Sequence, residues 1–472
     1  MVNIAMVNIK DTKRRERILN GNLTLTILTI CAPIFFYNFF NSFYSIIDAV
    51  VVSKINSTSV SAVASLGQIK LLLSSLGAGI ASGGGIIVAR TFGAGNFDLA
   101  KKKSNQVISI SSILIGALLL ICIPLAVPIM KFAKVPDELI AIGTGYFIVE
   151  IISLAFVFYN SVFMAMEKAK GNTKIMFFLN IMVMAIKLSL SILFIYGLNK
   201  DDIIWVGIAT LIGQASMFLV LLLIMLSKKN IFKIDFKEFK LEKETVSEVA
   251  KISLPIFLGK FVFSFGKVSV NAMCNEYGPL VVGALGVSNN LCGVATTPIN
   301  SFEETTSTIV SQNLGNKNIK RAFGAFWRSF IIATILGLIG FILIRFVFQD
   351  QLIELYNQNK DSVDTVEFLK LIKEINRFDS YSIIALAINA AVLGILYGFG
   401  QTKMTMILNI SRVFLFRIPI LWYLQTFHKE LGAQAAGISM GISNLCVCVT
   451  SILFLVYFVL KIKKYGYREM YI

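Results

Sequence analysis

Ionisable side chains stand inside long apolar stretches of this sequence, chief among them Asp48, Glu150, Lys187, Lys260, Glu303 and Glu304. A charge in such surroundings is expensive to bury unless it is paired, hydrated or used, so these groups are read as binding or exchanging protons and ions. Glu303 and Glu304 are neighbours and point about 100° apart on a helix, so one site cannot use both equally. Lys260 is expected at a similar depth, and one of the two glutamates is expected to titrate with it. Bond-breaking chemistry finds little support. The single histidine, His428, excludes His-based triads and His-rich metal centres. All six cysteines lie in or beside apolar segments and read as core residues. No phosphate-binding glycine–lysine motif occurs, and Gly83 to Gly85 is too bare a match for a nucleotide loop. Neither an enzyme, an ATP-binding domain nor a cofactor is expected.

The elements that must hold these charges are membrane helices. Of 472 residues 56% are hydrophobic and only 15% charged, a balance that calls for the lipid bilayer as solvent. Twelve runs are long enough to span, beginning with 22–53 and 60–89 and ending with 377–399, 403–425 and 432–460. The basic cluster Lys10 to Arg17 leads directly into a full-length span, so the first helix is expected to stay in the protein. The net charge of +17 could suggest nucleic acid, but its placement argues otherwise. With the N-terminus in the cytoplasm, most Lys and Arg fall on that same face, among them Arg90, Lys101, Lys102, Lys103, Lys170 and Arg321. That is the positive-inside pattern, and it predicts a multi-pass protein of the cell (inner) membrane with both termini cytoplasmic and no nucleic-acid partner.

The chain is duplicated. Pro33-Ile34-Phe35 returns as Pro255-Ile256-Phe257, Gly93 as Gly315 and Asn96 as Asn318, all 222 positions apart. Asn160 returns as Asn389, Gly171 as Gly400 and Thr173-Lys174 as Thr402-Lys403, 229 apart. The added seven residues fall in the polar stretch Gln349 to Glu374, expected as an amphipathic external excursion. Six spans per copy give both copies the same topology, hence parallel repeats. The predicted fold class is an all-α integral membrane protein, with twelve transmembrane helices in two pseudo-symmetric six-helix lobes. The expected boundaries are a tail at 1–21, an N-lobe at 22–228, a cytoplasmic linker at 229–248, a C-lobe at 249–462 and a tail at 463–472.

Local motifs sharpen this. Pro33, the segment Ile47-Asp48-Ala49-Val50-Val51-Val52-Ser53, Gly93-Ala94-Gly95-Asn96, Lys170-Gly171-Asn172-Thr173, Gln312-Asn313-Leu314-Gly315 and Arg412 with Arg417-Ile418-Pro419 occur in this order. The set resembles the multidrug and toxic compound extrusion (MATE) family over nearly the whole chain. The resemblance implies an antiporter that exports organic, often cationic, compounds against sodium ions or protons through a cleft between two lobes. It also implies that Asp48 matches the first-helix aspartate used in cation coupling, with sodium possible there. The partner positions on the fifth helix are Lys187 and Ser191, where an Asn and an Asp are typical. By helix rise Asp48 lies roughly 8 Å, Lys187 roughly 15 Å and Glu150 roughly 18 Å inside the external ends of their helices. Lys187 is thus expected to meet Asp48 in place of a metal ion, with Glu150 competing for it. Phe263 stands where a coupling glutamate is found in one branch of the family. Arg412 and Arg417 are read as bridging helices or meeting lipid headgroups.

The expectation is a monomeric secondary exporter of small organic, cationic or amphipathic molecules, working in the lipid bilayer and coupled to protons in preference to sodium. The alternative is a flippase for lipid-linked oligosaccharide or cell-wall precursors, kept open by Lys70, Lys187, Lys260 and Lys267 as charges for a pyrophosphate head group.

Overall fold

The computed structural model describes residues 9–53, 57–133, 135, 137–200, 202–354, 356 and 363–466. Helices account for all regular structure among them. A short amphipathic helix, α1 (Ile9–Asn20), precedes the first six spans. These are α2 (Leu23–Ser53), α3 (Ser57–Gly93), α4 (Phe97–Cys122), α6 (Asp137–Ala169), α7 (Thr173–Ile192) and α8 (Ile204–Leu226), with the small α5 (Ala126–Phe132) between the third and fourth. The second six begin with α9 (Lys243–Cys274). Helices α10 (Pro279–Ile299) and α11 (Ser301–Gly315) make one span interrupted just after Pro298, and α12 (Ile319–Ile342) follows. After α13 (Gln349–Glu354) come α14 (Val363–Asp379) and α15 (Ser382–Gly398). The eleventh span is α16 (Thr402–Ile410), a π-helical stretch Ser411–Arg417 and α17 (Ile418–Phe427), and the twelfth is α18 (Gln434–Tyr465).

Among the described residues eleven helical stretches are long and apolar enough to cross a membrane, and α14 with α15, bent by 45°, brings the number to twelve when the pair is taken as one span. This corrects the expected external excursion. Its second part is α14, which continues into the tenth span. The reason lies in its pattern: Ile372, Ile375, Asn376 and Asp379 are buried while Glu367, Lys370 and Lys373 face outward or sit at the edge. Charges gathered on one face lower the average hydropathy of a helix that still buries its other face.

The duplication is visible in the backbone. Gly171 and its counterpart Gly400 adopt φ of 77° and 78° at equivalent turns. Asn96 accepts a hydrogen bond from the Leu99 amide at 3.1 Å, and Asn318 accepts one from the Arg321 amide at 3.0 Å, so the same N-cap opens the same helix in each copy. One position is not matched in kind: Gly95 has φ 82°, whereas its counterpart Lys317 is forced to φ 59°.

The chain packs as two compact units, one of Met1–Phe261 with Ser311–Arg321, the other of Val262–Val310 with Ala322–Ile472. Within the first unit the end of α3 meets the end of α11 backbone to backbone. A Cβ on Gly93 would lie 2.2 Å from the Gln312 carbonyl oxygen, and one on Gly315 would lie 1.9 Å from the Arg90 carbonyl oxygen. Because Arg90 and Gln312 are also repeat-related, this is one contact made in both directions. Hydrogen bonds surround it. Arg15 Nη2 donates to the Gly93 carbonyl at 2.7 Å, Gln312 Nε2 to the Ala169 carbonyl at 2.6 Å, and Arg321 Nε to the Ile18 carbonyl at 3.1 Å. On the same basic face three consecutive lysines hold the inter-repeat segment: Lys101 to Asp235 at 3.0 Å, Lys102 to Glu242 at 2.7 Å and Lys103 to Glu248 at 2.7 Å. Hydrogen bonds from Lys101 and Lys102 depress the pKa values of Asp235 and Glu242 respectively. Depressed carboxylates hold this docking at neutral pH and release it as pH falls through their folded-state values.

Replacing Lys317 by glycine should relieve a left-handed backbone conformation that a Cβ disfavours, and raise stability by about 1 kcal/mol. A higher melting temperature of the purified variant in detergent checks this; an unchanged or lower one contradicts it.

Candidate functional site

In the first unit the intramembrane acid Glu150 hangs from α6 and is 4% exposed. Its partner is Lys70 of α3, whose ammonium donates to Glu150 Oε2. The expectation that Glu150 competes for Lys187 is therefore corrected. α3 and α6 are neighbours that pack closely, Gly77 leaving room for Phe158, and this brings Lys70 to Glu150. The Lys187 ammonium lies 5.3 Å from the centre of the Tyr44 ring, a cation–π contact. Ser191, one turn along α7, is fully buried and its hydroxyl has no hydrogen-bond partner among the described residues. The Asp48 side chain lies outside the described residues. Lys260 is half-buried on α9 within the first unit, whereas Glu303 and Glu304, half-buried at the start of α11, belong to the second.

Near the basic face of the first unit a second charge network ties the motif Lys170-Gly171-Asn172 into the structure. Lys170 is 2% exposed and donates to Glu167 at 2.6 Å and to Asn230 at 3.0 Å. Asn172 donates to the other Glu167 oxygen at 2.6 Å, and Asp11 of α1 stands 3.8 Å from Lys170. Each buried charge has an opposite charge and neutral hydrogen-bond partners, the condition for tolerating it.

The second unit has a polar core of different character. Arg412 Nε and Arg417 Nη2 both donate to Asn444 Oδ1 of α18, at 2.7 and 3.0 Å, and Arg417 Nε donates to Ser443 at 3.0 Å. The expected bridging of helices by these arginines is thus observed. Asn444 donates to Ser382 at 2.8 Å. Ser382 and Ser288 in turn donate to the carboxylate of Asp379 at 3.2 and 3.1 Å. Lys267 of α9 and Arg412 both lie against the Phe263 ring, at 5.0 and 4.9 Å from its centre. Nearby, Gly394 and Gly398 let α15 lie against α11, where a Cβ on Gly394 would come 2.9 Å from the Glu303 carbonyl oxygen.

Asp379, Asn444, Ser288 and Ser382 were not singled out by sequence. Asp379 stands at the edge of an apolar run whose helix begins earlier than hydropathy shows, and small polar residues inside spans carry no signal of their own. Lys267 and the two arginines were visible as charges in apolar segments.

The sequence profile of the family described as MatE matches residues 33–193 and 255–423, the two copies of the duplication. The chain belongs to the MatE family. It is a membrane transporter, not an enzyme, with twelve transmembrane helices in two six-helix lobes. Among curated relatives, the probable multidrug resistance protein YoeA of Bacillus subtilis is 22% identical over 342 residues, covering 70% of this chain and 73% of that one. A crystal structure of MATE in complex with MaL6 matches this MatE chain with a TM-score of 0.89 at 17% identity, over 95% of this chain and 99% of the other. A MOP superfamily transporter from Pyrococcus furiosus, for which a reverse polarity of the binding pocket is said to suggest a different function, matches with a TM-score of 0.87 at 17% identity, over 93% and 96%.

Breaking the Lys70–Glu150 pair from one side leaves a carboxylate stranded in low dielectric. Lys70→Met should lower the stability of this MatE protein by roughly 3 kcal/mol, and adding Glu150→Leu should recover most of the loss. Thermal unfolding of the two variants checks the order; equal melting temperatures contradict it.

Proposed function

We propose that this MatE protein is a secondary active exporter of small amphipathic organic molecules, exchanging them for protons across the cell membrane by alternating access. The observation that carries the reading is the reciprocal contact of Gly93 with Gln312 and Gly315 with Arg90. It joins equivalent helix ends of the two repeats by backbone packing and by side-chain donors on carbonyls. Such a seam contains no covalent link, so it can part and re-form, as a gate between two states requires. By the positive-inside pattern this gate faces the cytoplasm. The name of the Bacillus relative, a probable multidrug resistance protein, agrees with export of foreign compounds.

Proton coupling is assigned to Glu150. A carboxylate that already has an ammonium on it has little need of a sodium ion, whereas a proton on Glu150 removes the partner that holds Lys70 and so changes how α3 sits on α6. Asp48 with Lys187 and Ser191, and Glu303 or Glu304, remain further coupling groups in the same scheme. The flippase alternative loses Lys70 as a free cavity charge, because Glu150 neutralises it.

The test uses proteoliposomes loaded with ethidium or with carboxyfluorescein under an imposed pH or sodium gradient. The reading predicts that the pH gradient drives movement of at least one dye, that the sodium gradient does not, and that Glu150→Gln slows it about tenfold or more. Movement driven by sodium alone, or undiminished in Glu150→Gln, would reject proton coupling at this residue. No movement of either dye by folded protein would reject the export reading.

A further inference from the structure

The polar core of the second unit is short of negative charge. Lys267, Arg412 and Arg417 share one neighbouring carboxylate, Asp379, and among the described residues none of the three cations is ion-paired with it or with any other acid. Asp379 is instead occupied by the hydroxyls of Ser288 and Ser382. The guanidinium groups rest on neutral oxygens, Asn444 and Ser443. Like charges gathered within membrane-spanning segments repel one another, and they are held there at a cost unless an anion joins them.

The backbone is built to gather them. Arg412 and Arg417 are five residues apart, which on an α-helix would set them roughly 140° apart. The stretch Ser411–Arg417 is π-helical, and its i to i+5 register turns both guanidiniums to the same Asn444 oxygen. Phe263 adds the third cation by holding Lys267 on its ring together with Arg412. Accessibility is graded: Arg417 is 1% exposed, Arg412 is half-buried and Lys267 is exposed. The buried arginine backs two cations that retain open surface beside an aromatic ring.

We propose that Lys267 and Arg412, backed by Arg417, form an oxyanion-binding site that takes the carboxylate, sulfonate or phosphate of an amphipathic organic molecule, with Phe263 against its apolar part. Guanidinium and ammonium donors recognise oxyanions by charge-assisted hydrogen bonds. The identification of this anion as the exported cargo rests on the export reading above; the site itself does not.

The test is equilibrium binding, without any gradient, of carboxyfluorescein and ethidium to purified protein in phosphatidylcholine nanodiscs, followed by fluorescence polarisation. Carboxyfluorescein should bind, should weaken with added salt, and should lose about tenfold or more in affinity in Lys267→Gln and further in Lys267→Gln/Arg412→Gln. Lys267→Arg should retain it, and ethidium should not weaken in any variant. Unchanged melting temperature certifies each variant as folded, and Lys267→Gln alters only an exposed side chain. Absence of carboxyfluorescein binding, or equal binding in wild type and folded Lys267→Gln, would overturn the proposal. A second set of nanodiscs containing phosphatidylglycerol names the source of the oxyanion: competition that requires Lys267 assigns a lipid headgroup, and none assigns a free organic anion, either result upholding the site. Loss of gradient-driven transport with anion binding intact would instead sink the export reading and leave this site standing.

Discussion

The structure turns on a contact that only glycine permits. Where α3 and α11 end, Gly93 lies on the backbone of Gln312 and Gly315 on that of Arg90. No side chain intervenes, and the two carbonyls are approached more closely than any Cβ would allow. Small residues let membrane helices touch through their backbones, where packing has to do the work that the hydrophobic effect does in water. The duplication explains the symmetry of the seam, since a surface copied in one chain can meet its own copy reciprocally. It also explains the composition of the first packed unit, which takes in Ser311–Arg321 from the second repeat. Arg15, Gln312 and Arg321 then satisfy carbonyls that the helix ends leave open.

Around that seam the two units handle intramembrane charge differently. In the first, each buried charge has its opposite: Glu150 has Lys70, and Lys170 has Glu167 with Asp11 beyond it. In the second, two arginines and a lysine stand with a single carboxylate that hydroxyls already occupy. Pairing offsets the cost of burying the first set, because each charge is met by its opposite. The imbalance in the second set calls for an anion from outside the chain. One family architecture thus carries paired charges in one packed unit and a cation-rich cluster in the other.

Much of this was legible in the sequence. The spans, the duplication and the turns at Gly171 and Gly400 follow from hydropathy and self-similarity, and several motifs behind the resemblance to the family, Gly93 to Asn96, Lys170 to Thr173 and Gln312 to Gly315, fall at helix ends. Glu150 was recognised as a significant acid, but its partner was not, because depth along a helix says nothing about which neighbour a helix faces. Lys70 and Lys187 are both reachable on depth alone, and only the packing of α3 on α6 chooses between them. The tenth span was read as starting too late since α14 carries its charges on one face. The shared oxygen of Asn444 was beyond reach for a further reason: a π-helical register cannot be told from an α-helical one by residue type, and it alone turns Arg412 and Arg417 together.

The central claim is that the Gly93–Gly315 seam is a gate with a closed and an open state. Pulsed electron–electron distance measurement between spin labels at Leu99 and Lys320, exposed positions on either side of the seam within one packed unit, tests it most directly. The account predicts two distance populations whose ratio shifts when pH is lowered, with the short one lost in Gly315→Trp. A single distance, the same at every pH and in the glycine variant, would contradict it.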